Sequence, residues 1–123
     1  MDWTADFDLD LSYGKVGEET LAQILRDGKI EVKTERGKWQ DTGNIAIEYA
    51  SRKKPSGILT TKADWWCTIL MQEEKVVHII LTPIDRMKQL FKTHFMLGNK
   101  VRGGNSNTSE LVLIPIRELT NSH

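Results

Sequence analysis

GKIEVKTERGKW, residues Gly28 to Trp39, alternates apolar and charged positions with a period of two. Read as a strand, Lys29 to Glu35 puts Ile30, Val32 and Thr34 on one face and Glu31, Lys33 and Glu35 on the other. The apolar face is expected against a core. The charged face is either solvated surface or a site, and the neighbouring segments bear on which.

Preceding it, Gly14 to Arg26 carries Leu21, Ile24 and Leu25 at helical spacing, and Asp27-Gly28 is a stop signal. Glu18 heads that apolar stripe. Following it, Arg36–Gly43 reads as a polar loop, and Asn44–Ala50 alternates again, with Ile45, Ile47 and Tyr49 on one face and Ala46 and Glu48 on the other. If the two strands pair as an antiparallel hairpin with both apolar faces inward, Ile30 meets Tyr49, Val32 meets Ile47 and Thr34 meets Ile45. Glu31 then lies opposite Glu48, with Cβ atoms roughly 4.5–5.5 Å apart, where like charges are destabilising. A divalent cation resolves that conflict, because Mg²⁺ takes one or two carboxylates and keeps several waters. Neutralisation by Lys29 and Lys33 on a solvated face resolves it equally.

The rest of the chain supplies one domain spanning 1–123, with residues 1–13 as an N-terminal arm or short strand in which Phe7, Leu9 and Leu11 alternate with aspartates. Ser51–Gly57 is a basic loop, and Thr61-Lys-Ala-Asp64 has the spacing of a capped helical turn. Trp65–Gln72 and Lys75–Leu81 form a hairpin around Glu73-Glu74. Thr82 caps a helix running to Leu97, and Glu110–Ile116 closes as a strand after a glycine-rich loop. The expected class is α+β (mixed α/β): a central mixed sheet flanked by helices, in the order α-β-β-β-(β)-α-β.

Composition bounds the chemistry. Apolar residues are 39% and charged residues 28% of the chain, and 17 basic side chains balance 17 acidic ones. A neutral sum argues against a surface that grips nucleic acid all over. The charges are nevertheless segregated: acids crowd residues 1–31, while 49–63 and 86–109 hold bases alone. One cysteine, Cys67, forms no intrachain disulfide and fits a reducing, cytoplasmic setting. No apolar run is long enough to span a membrane. Arg52, Lys53, Lys54 and Lys62, with the Ser56 hydroxyl, suit contacts to a phosphate backbone; a solvated loop is the other reading. His78, in an apolar strand, is expected in or beside the core, and no zinc-ligand spacing is present.

Glu31-Val32-Lys33 as an E-x-K on a strand, Gly14 and Glu18 on the preceding helix, and the segments TGNIAIEYA and SGILTTKADWW together resemble the PD-(D/E)XK nuclease superfamily, in its small Holliday-junction-resolvase-like branch. The resemblance covers about residues 14–116. It implies a restriction-endonuclease-like core and Mg²⁺-dependent hydrolysis of DNA phosphodiester bonds, with Mn²⁺ as a substitute and with branched or junction DNA as a substrate class. It implies Glu31 and Glu18 as catalytic acids that hold metal, the Val32 carbonyl as a backbone ligand, Lys33 as the catalytic lysine, and a homodimer. The family carries an aspartate before its E-x-K, and no strand precedes Glu31 here. Glu48 is the preferred substitute from the hairpin register, with Asp27 and Asp41 as the other candidates. If none of them substitutes, the chain is a DNA-binding or interaction domain on the same scaffold.

Overall fold

The computed structural model describes the backbone of residues 3–121 and the side chains of 12–104 and 106–121. The chain runs α1 (Trp3–Asp27), β1 (Ile30–Arg36), α2 (Lys38–Thr42), β2 (Asn44–Ser51), β3 (Lys54–Pro55), a 3₁₀ turn (Gly57–Leu59), β4 (Trp65–Gln72), β5 (Lys75–Pro83), α3 (Ile84–Met96), β6 (Lys100–Gly103), a second 3₁₀ turn, β7 (Ser109–Pro115) and a closing 3₁₀ turn (Ile116–Leu119). This is a mixed α/β fold, as the sequence predicts. No helix among the described residues is long and apolar enough to cross a membrane.

The strands form two hydrogen-bonded ladders, in the orders β1-β4-β5 and β3-β2-β7-β6. The expected hairpin between β1 and β2 is therefore absent. β1 pairs in parallel with β4, placing Glu31 beside Trp66 and Lys33 beside Thr68, while Glu48 on β2 pairs with Leu111 on β7. Two features divert β1. Its connection to β2 is a short helix between Gly37 and Gly43, both at positive φ, and not an open loop. The Trp39 indole N–H of that helix donates to the Met71 carbonyl at 2.8 Å, tying α2 to the far end of β4. At the near end, the Lys29 carbonyl accepts from the N–H groups of both Asp64 and Trp65, at 2.8 and 3.1 Å.

One core spans both ladders beneath α3. Met87, Leu90 and Phe91 of α3 pack on Trp66 and Leu70 of β4 and on Ile45, Ile47, Val112 and Ile114 of β2 and β7. The alternation read for β2 holds: Ile45 and Ile47 are buried, and Tyr49 packs at a tilt on Phe91 and edge-on against Phe95. For β1 the reading inverts. Val32 is 52% exposed, and Glu31, Lys33 and Glu35 share the face of Trp66, Thr68 and Leu70. The neighbour decides this, since β4 commits its large side chains to that face and fixes the parity of every strand paired with it.

Local signals fared better. The β4–β5 hairpin turns at Glu73-Glu74, both at positive φ, as a two-residue type I′ turn requires. Arg52-Lys53 makes the same kind of turn between β2 and β3, so the basic loop is a hairpin tip. Thr82 does not cap α3; it is buried in β5, and Pro83 holds the cap position. Thr61 accepts from the Ala63 N–H without starting a helix, and the helical turn comes earlier, at Gly57–Leu59. His78 is exposed on β5, the edge strand of its ladder, and not in or beside the core. The helix expected from Gly14 begins at Trp3, so the residues read as an extended arm are helical from there. Residues 1–2 lie outside the described part.

Candidate active site and nucleic-acid interface

The polar face of β1 is partly sheltered. Glu31, Lys33 and Glu35 are each half-buried, in register with Trp66, Thr68 and Leu70. Glu31 and Lys33 make no ion pair or side-chain hydrogen bond among the described residues. Beside Lys33, the Thr68 hydroxyl is buried and without a partner, an arrangement that leaves polar capacity unused in a dry place.

Glu35 is the residue of this face that the structure ties down. Its Oε1 accepts the Ala46 N–H at 3.0 Å. β3 pairs only with Ala50 and Ser51, so the edge of β2 before them carries no strand, and Glu35 supplies the acceptor there. Burial pushes the Glu35 carboxyl above its ordinary value of 4.5, and the Ala46 hydrogen bond pulls the other way without cancelling it.

Glu48 lies two residues along β2 from Ala46, on the same face. Its Oε2 accepts the Ser56 hydroxyl at 3.0 Å, and Oε1 takes no hydrogen bond among the described residues. The SG loop is pressed on this residue: Gly57 has φ +55°, and a Cβ there would stand 2.2 Å from the Glu48 carbonyl oxygen. Immediately after Glu48 the β2–β7 register slips, leaving Tyr49 as a bulge. Bulges of this kind re-aim side chains and are common next to active sites.

The remaining residues expected at the site are dispersed. Glu18 is exposed on α1, a helix that buries Ile24 alone among its described side chains. Asp27 is exposed beside Arg26, 3.4 Å away, and Asp41 is exposed on α2. Val32, expected to act through its carbonyl, sits between Glu31 and Lys33 in β1, and its side chain is exposed on the opposite face of the sheet. Among the described residues no three His, Cys, Asp or Glu side chains converge as a metal-binding group. Glu35 is the third member of the polar face in the sequence pattern, and the alternation of β1 is the signal by which it could have been singled out.

The basic residues divide likewise. Arg52 and Lys53, at the β2–β3 tip, line a cavity of about 280 Å³ with Arg102, Ser106, Asn107 and Glu110. Lys54 is exposed on β3 and Lys62 is exposed after the Gly57–Leu59 turn, and Ser56 is engaged with Glu48. Arg102 belongs to the acid-free run 86–109, the signal by which it could have been singled out.

Comparison of the chain with protein-family models, with curated proteins and with solved structures finds no match in any of the three.

Proposed function

We propose that the protein is a divalent-metal-dependent endonuclease acting on DNA, with Glu35 and Glu48 as its metal carboxylates at the junction of β1 and β2. The observation that carries this reading is the half-buried Glu35 carboxylate at the Ala46 N–H, two residues along β2 from Glu48, whose Oε1 takes no hydrogen bond among the described residues. Burial alone makes an ionised Glu35 costly, and a cation relieves that cost. Two carboxylates suffice for Mg²⁺ or Mn²⁺, which complete their shells with water.

The assignment also repairs the departure from the family pattern. In the PD-(D/E)XK resemblance an acid precedes the glutamate of the E-x-K. Glu35 before Glu48 gives that order, whereas nothing suitable precedes Glu31. Ala50 then occupies the lysine position, and Lys33, two residues before Glu35 on the same face, supplies the amine. A bound cation supplies a water of lowered pKa and shields the scissile phosphate. Lys33 stabilises negative charge developing on the phosphate oxygens. Glu31, at the sheltered end of the same face, polarises or holds water beside it. Arg52 and Lys53 at the hairpin tip and Arg102 on β6 across the same cavity, with Lys54 on β3 and Lys62 after the 3₁₀ turn, position the duplex backbone.

A second reading has its own support: the lack of three converging ligands among the described residues favours a DNA-binding domain without catalysis. One experiment separates the two. Wild-type protein is incubated with supercoiled, nicked, flap and four-way DNA, with Mg²⁺ or Mn²⁺. Cleavage lost in Glu48→Gln and Lys33→Ala, with DNA affinity retained, supports the nuclease. Binding without cleavage by wild type on every substrate leaves only the second reading.

A further inference from the structure

The cavity of about 280 Å³ between the β2–β3 tip and the β6–β7 connection is more than a basic patch. Arg52, Lys53 and Arg102 line it against one carboxylate, Glu110, a net charge of +2. None of these four side chains makes an ion pair among the described residues, so three like charges border one space unneutralised. Ser106 and Asn107, in the 3₁₀ turn Asn105–Asn107, add a hydroxyl and an amide that take no partner among the described residues either. The backbone ties the two walls together. The Arg52 N–H donates to the Thr108 carbonyl at 2.9 Å, and Ser109 pairs with Ser51 on one side and with Gly103 on the other. Arg52 and Lys53 sit at φ 51° and 68°, in a type I′ tip that Asn-Gly enters more easily. The tip thus carries two long cations where a neutral pair costs less, and it carries them to the cavity. With the walls already fixed, the ordering cost of binding falls on side chains alone.

We propose that this cavity holds a terminal phosphate of DNA, at a strand end, a nick or a gap, while unbroken backbone passes outside it. Charge and size both point to that group. A phosphate monoester carries about −1.5 to −2 charges near pH 7 and three strong acceptor oxygens, which matches a net +2 and five donor-bearing side chains around the space. A phosphodiester within a strand carries a single charge, and its chain must leave the cavity in both directions. Two guanidinium groups and an ammonium are the donors that phosphate recognition uses. The volume lies just under the roughly 300–1,000 Å³ of small-molecule sites, room for a phosphate and the sugar that bears it. Glu110 repels an anion there, and Arg102, its partner in the β6–β7 register, offsets it. That the strand is DNA rests on the proposed function; the phosphate site rests on the cavity. Arg52 follows Glu48 by four residues, roughly 13 Å along β2, so an end held at the tip sets the proposed metal carboxylates a few nucleotides into the strand.

The test is equilibrium binding of the full chain by fluorescence anisotropy, in EDTA so that nothing is cut, to oligonucleotides of one sequence. They carry a 5′-phosphate, a 3′-phosphate or hydroxyls at both ends, as single strands and at the nick of a duplex, which separates the two kinds of end. Wild type should bind at least one phosphorylated form about tenfold tighter than its hydroxyl counterpart, and millimolar inorganic phosphate should compete. Arg102→Ala should abolish the difference. So should Arg52→Asn combined with Lys53→Gly, which keeps the type I′ tip and leaves the melting temperature no lower than that of wild type. Equal affinity of wild type for phosphate and hydroxyl ends overturns the proposal, and so does a preference that survives in both variants. Cleavage is absent from the readout. A phosphate preference in a protein that never cuts DNA leaves this inference standing and the nuclease reading fallen, and cutting without the preference does the reverse.

Discussion

The Glu35 carboxylate and the Ala46 N–H, 3.0 Å apart, join two strands that share no ladder. A side chain stands where a strand edge would otherwise be, and the same contact places an acid beside the β2 segment that carries Glu48.

Glu35 therefore has a structural and a chemical role that separate by substitution. Glu35→Ala leaves the Ala46 N–H without its acceptor and should cost about 1–3 kcal/mol in denaturant unfolding. Glu35→Gln keeps an acceptor oxygen and removes the charge, so it should fold at least as stably as wild type at pH 7 while losing metal-dependent cleavage.

The pH dependence of that pair has a definite sign. The folded-state pKa of Glu35 lies above 4.5, so the folded chain holds a proton where the unfolded chain has released it. The associated stabilisation is complete below 4.5 and is lost as pH rises through the folded value. Wild type and Glu35→Gln should have similar melting temperatures near pH 4, and wild type should fall below the variant towards pH 7. The opposite trend would refute the burial argument.

The SG loop is a rigid support for Glu48. Gly57→Ala forces a Cβ against the Glu48 carbonyl oxygen at positive φ, and it should destabilise the fold by on the order of 2 kcal/mol. Ser56→Ala removes one hydrogen bond and should cost about 1 kcal/mol. In the nuclease reading it also lowers cleavage without abolishing it, as single-turnover rates would show.

At the other end of the core, Asn99 donates to His94 Nδ1 at 2.9 Å, and His94 Nε2 stands 2.7 Å from Glu118 Oε2. This pins the C-terminal turn to α3. Glu118→Ala should cost about 1–3 kcal/mol because the buried imidazole edge of His94 loses the one carboxylate that faces it. Glu118→Gln should restore most of that loss in thermal unfolding.

Phosphate contact at the β2–β3 tip predicts a salt signature. Arg52→Ala, Lys53→Ala and Arg102→Ala should each weaken binding to unrelated duplex sequences alike. Each should also reduce the slope of log affinity against log salt by about 0.9 for every phosphate contact removed. Unchanged slopes would place the nucleic acid elsewhere.

The sequence by itself determined what depends on near neighbours. The β4–β5 hairpin, the body of α3, the buried face of β2 and the glycine stop after α1 follow from two-residue turns, helical spacing and alternation, all settled within a few residues. The glutamates of the polar face and the basic tip were equally visible, as residue types. Only the tertiary structure decided which strand β1 joins, because a parallel pairing with β4 closes across some thirty-five residues and leaves no local turn signal. That pairing inverted the buried face of β1, separated Glu31 from Glu48 and brought Glu35 to Ala46. The physical reason is that side-chain parity in a strand is inherited from its ladder partner, and the partner of β1 was fixed by the backbone hydrogen bonds at Lys29 and the anchor from Trp39 to Met71, neither of which a pattern of hydrophobicity records.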